Sequence, residues 1–231
     1  MGKLLDMLRE DYRFKEGMHT CINCGTCTAV CPAAEFYKYD PRKIVDTVQR
    51  GDEEQIEALL RSETIWYCGE CMSCMTRCPR NNAAGKVIMA LRNLSIKLGY
   101  FTSSERGRQI YPLTHILNGN ILKYGYCVYP EGFKFEDHPE SGPVWKWHLA
   151  HAADSYARVG ANYHGKGPGA LRDIPEEDLK ELQAIFDETG GTERMELVDK
   201  ASEEQAARMG MTPEEYFRYT FTHCSEGHFN R

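Results

Sequence analysis

Between Pro41 and Gly51 the apolar residues Ile44, Val45 and Val48 recur at helical spacing, with Asp40 placed to cap the first turn and Pro41 to open it. The next stretch, "DEEQIEALLRS", puts acids in its first turn and Ile56, Leu59 and Leu60 on one face. Further on, "AAGKVIMALRNLSIKLG" places Val87, Leu91, Leu94 and Leu98 on one stripe and ends at Gly99, a C-terminal cap. Beyond that point the pattern loosens. Residues 101–143 read as loop, rich in glycine, proline and aromatics, and "VWKWHLAHAADSYARVG" reads as one amphipathic helix. "NYHGKGPGALRDIP" reads as loop, and short helices are predicted over 176–188, 193–209 and 213–222, the last announced by the capping box "TPEE". Nowhere do apolar and polar residues alternate as a strand requires. The fold class predicted is mainly α: a helical domain over residues 1–100, then a loop-rich and later helical C-terminal extension over 101–231.

Eight of the ten cysteines interrupt this pattern in two dense runs. The first, "CINCGTCTAVCP", supplies Cys21, Cys24, Cys27 and Cys31; the second, "CGECMSCMTRCP", supplies Cys68, Cys71, Cys74 and Cys78. Disulfides suit short secreted chains, and thiols this closely spaced on a tight loop point apart and bridge poorly. A four-thiolate zinc site normally draws two pairs from separate segments. Each run here instead offers three evenly spaced thiols and a fourth one turn further on, followed by a proline that turns the chain away. The form C-x-x-C-x-x-C-x-x-x-C-P is the bacterial-type spacing for 4Fe–4S clusters, and it occurs twice.

The runs resemble those of two-cluster ferredoxins, in which the fourth cysteine of each run ligates the other cluster. That likeness implies two 4Fe–4S clusters. One would be held by Cys21, Cys24, Cys27 and Cys78, the other by Cys68, Cys71, Cys74 and Cys31. The backbone N–H groups of Asn23, Gly25, Gly69 and Ser73 lie inside the loops as candidate donors to cluster sulfur. The helical spacer between the runs, and Trp66 two residues before Cys68, make residues 15–100 similar to the C subunit of heterodisulfide reductase. Relatives of succinate dehydrogenase type carry a preceding 2Fe–2S motif, and those of glycolate-oxidase or glycerol-3-phosphate-dehydrogenase type carry adjacent cysteines in CCG motifs. This chain has neither.

The resemblance implies a non-catalytic electron-transfer subunit in an oxidoreductase complex. It would relay electrons between a flavin-containing A-type subunit and a CCG-motif B-type subunit that acts on disulfide or thiol sulfur. The methanogen-type subunit is expected to end soon after the helix that follows its second run, so the long extension points toward a variant, such as the complex of sulfur-oxidising prokaryotes. A freestanding dicluster ferredoxin and an iron–sulfur subunit of a flavin-linked organic-acid dehydrogenase are the competing readings.

The remaining features narrow these readings slightly. A net charge of −6 without a basic patch argues against nucleic-acid binding. No window approaches about 18 consecutive apolar residues, so no membrane insertion is expected, and the mixed charges of "MGKLLDMLREDYRFKEG" do not suit a secretory leader. Oxidation-sensitive clusters favour the cytoplasm. Tyr124, Tyr126, Tyr129, Phe133, Phe135, Trp145 and Trp147 either face a partner or fill the extension's own core. His148 and His151 read as helix-surface residues, Cys127 and Cys224 as buried structural thiols, and "HCSEGH" at 223–228 as a weak metal candidate. "GKGPG" at 165–169 lacks the spacing of a phosphate loop.

Overall fold

A computed structural model describes residues 2–132, 134 and 142–222. The described residues form helices and connecting turns, with no strand among them. Backbone contacts divide the chain into two compact units, Met1–Arg108 and Gln109–Arg231.

The first unit opens with helices α1 (Lys3–Glu10) and α2 (Tyr12–Gly17). The Glu53 carboxylate accepts from the free Leu4 and Leu5 N–H groups at the start of α1, at 2.8 and 3.1 Å. Two single-turn helices, α3 (Thr26–Ala29) and α4 (Ala33–Phe36), follow around the first cysteine run. Helix α5 (Pro41–Arg50) begins and ends where its sequence predicts. Asp40 accepts from Lys43 N–H, Pro41 is the first helical residue, and Gly51 closes the helix with φ 72°. Ile44, Val45 and Val48 are buried. Helix α6 (Glu53–Leu60) is capped by Asp52 and buries Ile56 and Leu60, with Leu59 packed at the edge of the core. A 3₁₀ turn (Thr64–Tyr67) leads into the second run and the single-turn helix α7 (Ser73–Thr76).

Helix α8 (Ala84–Lys97) stands at the centre of this unit. Of the expected stripe, Val87, Leu91 and Leu94 are buried and Leu98, just past the helix end, is partly buried; Ile88, Ala90, Ser95 and Ile96 are buried too, because α1, α2, α5, α6 and α7 surround the helix. Gly17 permits the closest of these approaches. A Cβ there would sit 2.7 Å from Lys86 Cβ and 3.0 Å from the Ala83 carbonyl, and the Gly17 carbonyl accepts from Ala83 N–H at 2.9 Å. Gly99, with φ 70°, follows the end of α8 as expected. The unit closes with a 3₁₀ turn (Tyr100–Ser103) and α9 (Glu105–Arg108).

The second unit corrects the expectation of loop over 101–143. Helix α10 (Ile110–Leu113), a π turn (Thr114–Asn118) and α11 (Gly119–Tyr124) run on continuously. Pro112 does not break them because it lies in the first turn, where its missing N–H would have had no partner. The stretch expected as one helix is two, α12 (Gly142–Ala150) and α13 (Ala152–Arg158), parted at His151. After the loop that follows, α14 (Glu176–Glu188), α15 (Gly191–Arg208) and α16 (Pro213–Thr222) lie where the sequence places three helices. The capping box is formed: Thr212 Oγ1 accepts from Glu215 N–H at 3.2 Å, and Glu215 accepts from Thr212 N–H at 2.8 Å. Val198, Ser202 and Ala206 of α15 are buried one turn apart, against α10, α14 and α16.

The tyrosines of the extension serve packing: Tyr129 is buried and stacks on Tyr124 at 4.5 Å and Tyr126 at 5.6 Å. Trp147 is exposed, stacked on His151 at 4.4 Å, and His148 pairs with the Tyr156 hydroxyl at 3.1 Å. Cys127 is exposed, which corrects its reading as a buried thiol. Phe133, Phe135, Cys224 and the "HCSEGH" segment lie outside the described residues.

Candidate metal centre

The two cysteine runs adopt the same local backbone. Asn23 and Glu70, at equivalent places, have φ of 60° and 54°; Gly25 and Met72, also equivalent, have φ of 85° and 59°. Two left-handed residues per loop swing successive thiols inward around one space. The first loop uses glycine at the second of these places, while the second loop holds a methionine in a conformation that side chains disfavour. Equivalent hydrogen bonds follow. Asn23 N–H donates to Cys21 Sγ and Glu70 N–H to Cys68 Sγ, both at 3.4 Å. Cys24 Sγ lies 3.4 Å from Thr26 Oγ1, and Cys71 Sγ 3.4 Å from Ser73 Oγ. Of the backbone donors expected, Asn23 faces Cys21 Sγ and the Ser73 backbone bonds Cys71. Glu70, at the place equivalent to Asn23, and Gly85, which donates to Cys74 Sγ at 3.3 Å, are donors beyond those expected.

Helices α5 and α8 anchor the loops. Gln49 clasps the Cys21 backbone, accepting from its N–H at 2.6 Å and donating to its carbonyl at 3.1 Å. Arg42 donates to Asn23 Oδ1 at 2.8 Å. On the other side Arg92 donates to the Ile65 and Cys68 carbonyls at 2.7 and 2.6 Å and to Glu70 at 2.6 Å. An arginine thus ties down each loop at its first left-handed residue, Asn23 in one and Glu70 in the other. Trp66 packs against the core, with the Arg92 guanidinium 5.4 Å from its ring centre.

The thiols line two adjoining cavities. Cys21, Cys24, Cys27 and Cys78 border one. Cys31, Cys68, Cys71 and Cys74 border another, and Cys74 borders both. The fourth cysteine of each run therefore sits with the first three of the other. Cys24 and Cys71 are exposed, so each cavity reaches the surface at one edge.

The donor set suits a 4Fe–4S cluster in two respects. The cavities are bordered by thiols, with no carboxylate or imidazole among the lining residues, which is the soft donor set iron–sulfur clusters take. Two buried donors, Asn82 Nδ2 and the Tyr39 hydroxyl, border the cavities without a hydrogen-bond partner. Burial, helped by the neighbouring Cys21 and Cys74 sulfurs, pushes the Cys27 thiol up to about 11, and burial also raises Cys68. At the exposed edges, the bonds from Thr26 and Ser73 lower Cys24 and Cys71.

Comparison with known proteins agrees with this geometry. Residues 17–82 match the 4Fe–4S dicluster domain family. The chain is 46% identical over 92 residues to the C subunit of the ferredoxin:CoB-CoM heterodisulfide reductase of Methanosarcina acetivorans, covering 37% of this chain and 36% of that protein. It is 32% identical over 127 residues to an iron–sulfur C subunit of the CoB–CoM heterodisulfide reductase of Methanocaldococcus jannaschii, covering 55% and 59%. Against the corresponding iron–sulfur protein of Methanopyrus kandleri the identity is 34% over 111 residues, covering 48% and 52%. The matches thus span between about a third and three-fifths of the relatives' own length. The resemblance read from the cysteine runs holds: the relatives are heterodisulfide reductase C subunits, and the matched domain is one that carries two 4Fe–4S clusters. A 127-residue match covering 59% implies that this relative has about 215 residues.

Proposed function

We propose that this chain is the electron-transfer subunit of a heterodisulfide-reductase-like complex. It passes electrons between a flavin-containing A-type subunit and a CCG-motif B-type subunit that acts on disulfide or thiol sulfur. Cys21, Cys24, Cys27 and Cys78 hold one 4Fe–4S cluster, and Cys68, Cys71, Cys74 and Cys31 hold the other. When bound, each cluster supplies a one-electron donor and acceptor. The observation that carries the reading is the pair of adjoining cavities, bridged by Cys74 and each open at an exposed thiol, Cys24 in one and Cys71 in the other. A conduit between two partners needs one such edge for each.

The protein's own part is to hold and shield. Arg42, Gln49 and Arg92 fix the loops, and α5 and α8 supply an apolar wall of Val45 and Ile88 that excludes water behind the thiols. Ile22 and Met75, exposed next to Cys21 and Cys74 in the chain, give the rim an apolar character suited to a protein partner. Nothing in this arrangement requires sulfur oxidation. No helix among the described residues is long and apolar enough to cross a membrane.

The test mixes the reduced, cluster-loaded protein with the CCG-motif subunit encoded by the same host and follows cluster bleaching by stopped flow. Rapid oxidation, outpacing that by an unrelated ferredoxin-dependent reductase, is the expected result. Equal rates with unrelated reductases would favour a freestanding carrier.

A further inference from the structure

Two polar groups near the thiols each carry a donor that holding the loops does not use. Asn82 is only 5% exposed and borders the cavity of Cys21, Cys24, Cys27 and Cys78. His19 N–H donates to its Oδ1 at 2.5 Å, and that fixes which end of the amide is which. The Nδ2 group, with two hydrogens to give, is buried and has no hydrogen-bond partner. Tyr39 is 4% exposed and borders the other cavity. Its ring lies edge-on to Tyr67 at 6.1 Å, and Tyr67 stacks on Tyr37 at 4.6 Å, so the phenol has no freedom to turn away. Its hydroxyl comes near enough to interact with the Cys68 thiol, yet makes no formed hydrogen bond.

A buried donor left unpaired is costly, and native proteins rarely keep one without a purpose. Here one such donor borders each cavity. Each belongs to a segment that approaches from outside the CxxCxxC loop it faces: Asn82 from just before α8, Tyr39 from just before α5. Their equivalence in burial and placement is matched by a difference in chemistry, a carboxamide on one side and a phenol on the other.

We infer that Asn82 and Tyr39 donate hydrogen bonds to sulfur of separate clusters, each tuning the potential of its own centre. The inference rests on the ligand assignment proposed above. A donor to cluster or thiolate sulfur stabilises the reduced, more negative form, so its loss lowers the potential. They are positioning and tuning residues, since neither ligates iron.

The experiment is an EPR-monitored redox titration of the full-length protein, reconstituted anaerobically with iron and sulfide. The unaltered protein is expected to hold about eight irons per chain in two 4Fe–4S centres. Tyr39→Phe removes only the hydroxyl. It is expected to lower one of the two midpoints by the equivalent of about tenfold in the reduction equilibrium, about 59 mV for a one-electron couple. Asn82→Asp keeps the acceptor for His19 N–H while removing the amide donor, and Asn82→Leu removes the donor without adding charge. Both are expected to lower the other midpoint.

If Tyr39→Phe and the Asn82 variants move the same centre, or if clusters form in full and neither midpoint moves, the inference is overturned while the dicluster reading stands. A shift in Asn82→Asp alone, with Asn82→Leu loaded but unshifted, assigns that shift to charge and overturns the role of Asn82. If the unaltered protein binds one cluster or none, the ligand assignment fails first and the inference with it.

Discussion

Cys78 borders the same cavity as Cys21, although the two belong to different cysteine runs, and Cys31 stands in the same crossed relation to Cys68. With the clusters held as proposed, the crossing would tie the segment before α5 to the segment before α8 and so couple metal binding to folding of the first unit. Replacing Cys78 with serine should cut bound iron to about half and leave the remaining centre more readily lost on dilution. Cys127→Ser, at an exposed lone thiol, should leave iron content unchanged. Iron and sulfide determination after anaerobic purification checks both; full iron in Cys78→Ser would contradict the crossed assignment.

The close approach of α2 to α8 depends on Gly17. In Gly17→Ala the added methyl meets Lys86 Cβ and the Ala83 carbonyl, and the backbone contact cannot be relieved by a side-chain rotation. Overpacking of this kind should destabilise by about 1–3 kcal/mol, read as a lower denaturant midpoint with an unchanged slope. An unchanged midpoint would mean that α2 shifts freely on α8.

Leu91 is fully buried in the middle of α8. Leu91→Ala should lower the stability of the first unit by about 2–5 kcal/mol. Because α8 also supplies Arg92, which grips the Cys68 carbonyl, cluster loss should coincide with unfolding when visible absorbance and circular dichroism are followed together. Separate transitions would show that the loops hold their metal independently of the helix.

His164 in the second unit lies between Asp173, 2.9 Å from Nδ1, and Glu131, 2.5 Å from Nε2. These two carboxylates raise its pKa above the ordinary imidazole value. The stabilisation is therefore complete below the unfolded value of about 6.5 and is lost as pH rises through the higher folded value. With the ring 46% exposed, the effect is small and weakened by salt. The denaturation midpoint should fall on going from about pH 6 to about pH 9, and His164→Gln should remove that part of the fall. Equal pH dependence in both proteins would contradict the pairing.

Much of the first unit was legible in its residues. Asp40, Pro41 and Gly51 bound α5 as capping chemistry requires, and Gly99 follows α8. The single stripe read on α8 fell short because periodicity reports one face, whereas five neighbouring helices bury this one nearly all round. Helices α1 and α2 were missed since Leu5, Leu8 and Phe14 lie among charges and depend on Glu53 and α8 from elsewhere in the chain. The α10–α11 stretch was masked by Pro112 and Gly119, residues that mark breaks in general but lie inside helical turns here. At the metal centre, spacing supplied the eight thiols. It could not supply Gly85, Asn82 or Tyr39, which approach from outside the cysteine loops and reach them only once the chain is folded.

The most direct test of the electron-transfer account is anaerobic affinity purification of the tagged full-length protein from its native host, with partners identified by mass spectrometry. The account predicts recovery of a CCG-motif protein and a flavoprotein in fixed ratio with this chain. Recovery of the chain alone, or with an organic-acid dehydrogenase in their place, would leave the dicluster domain standing and contradict its assignment to a heterodisulfide-reductase-like complex.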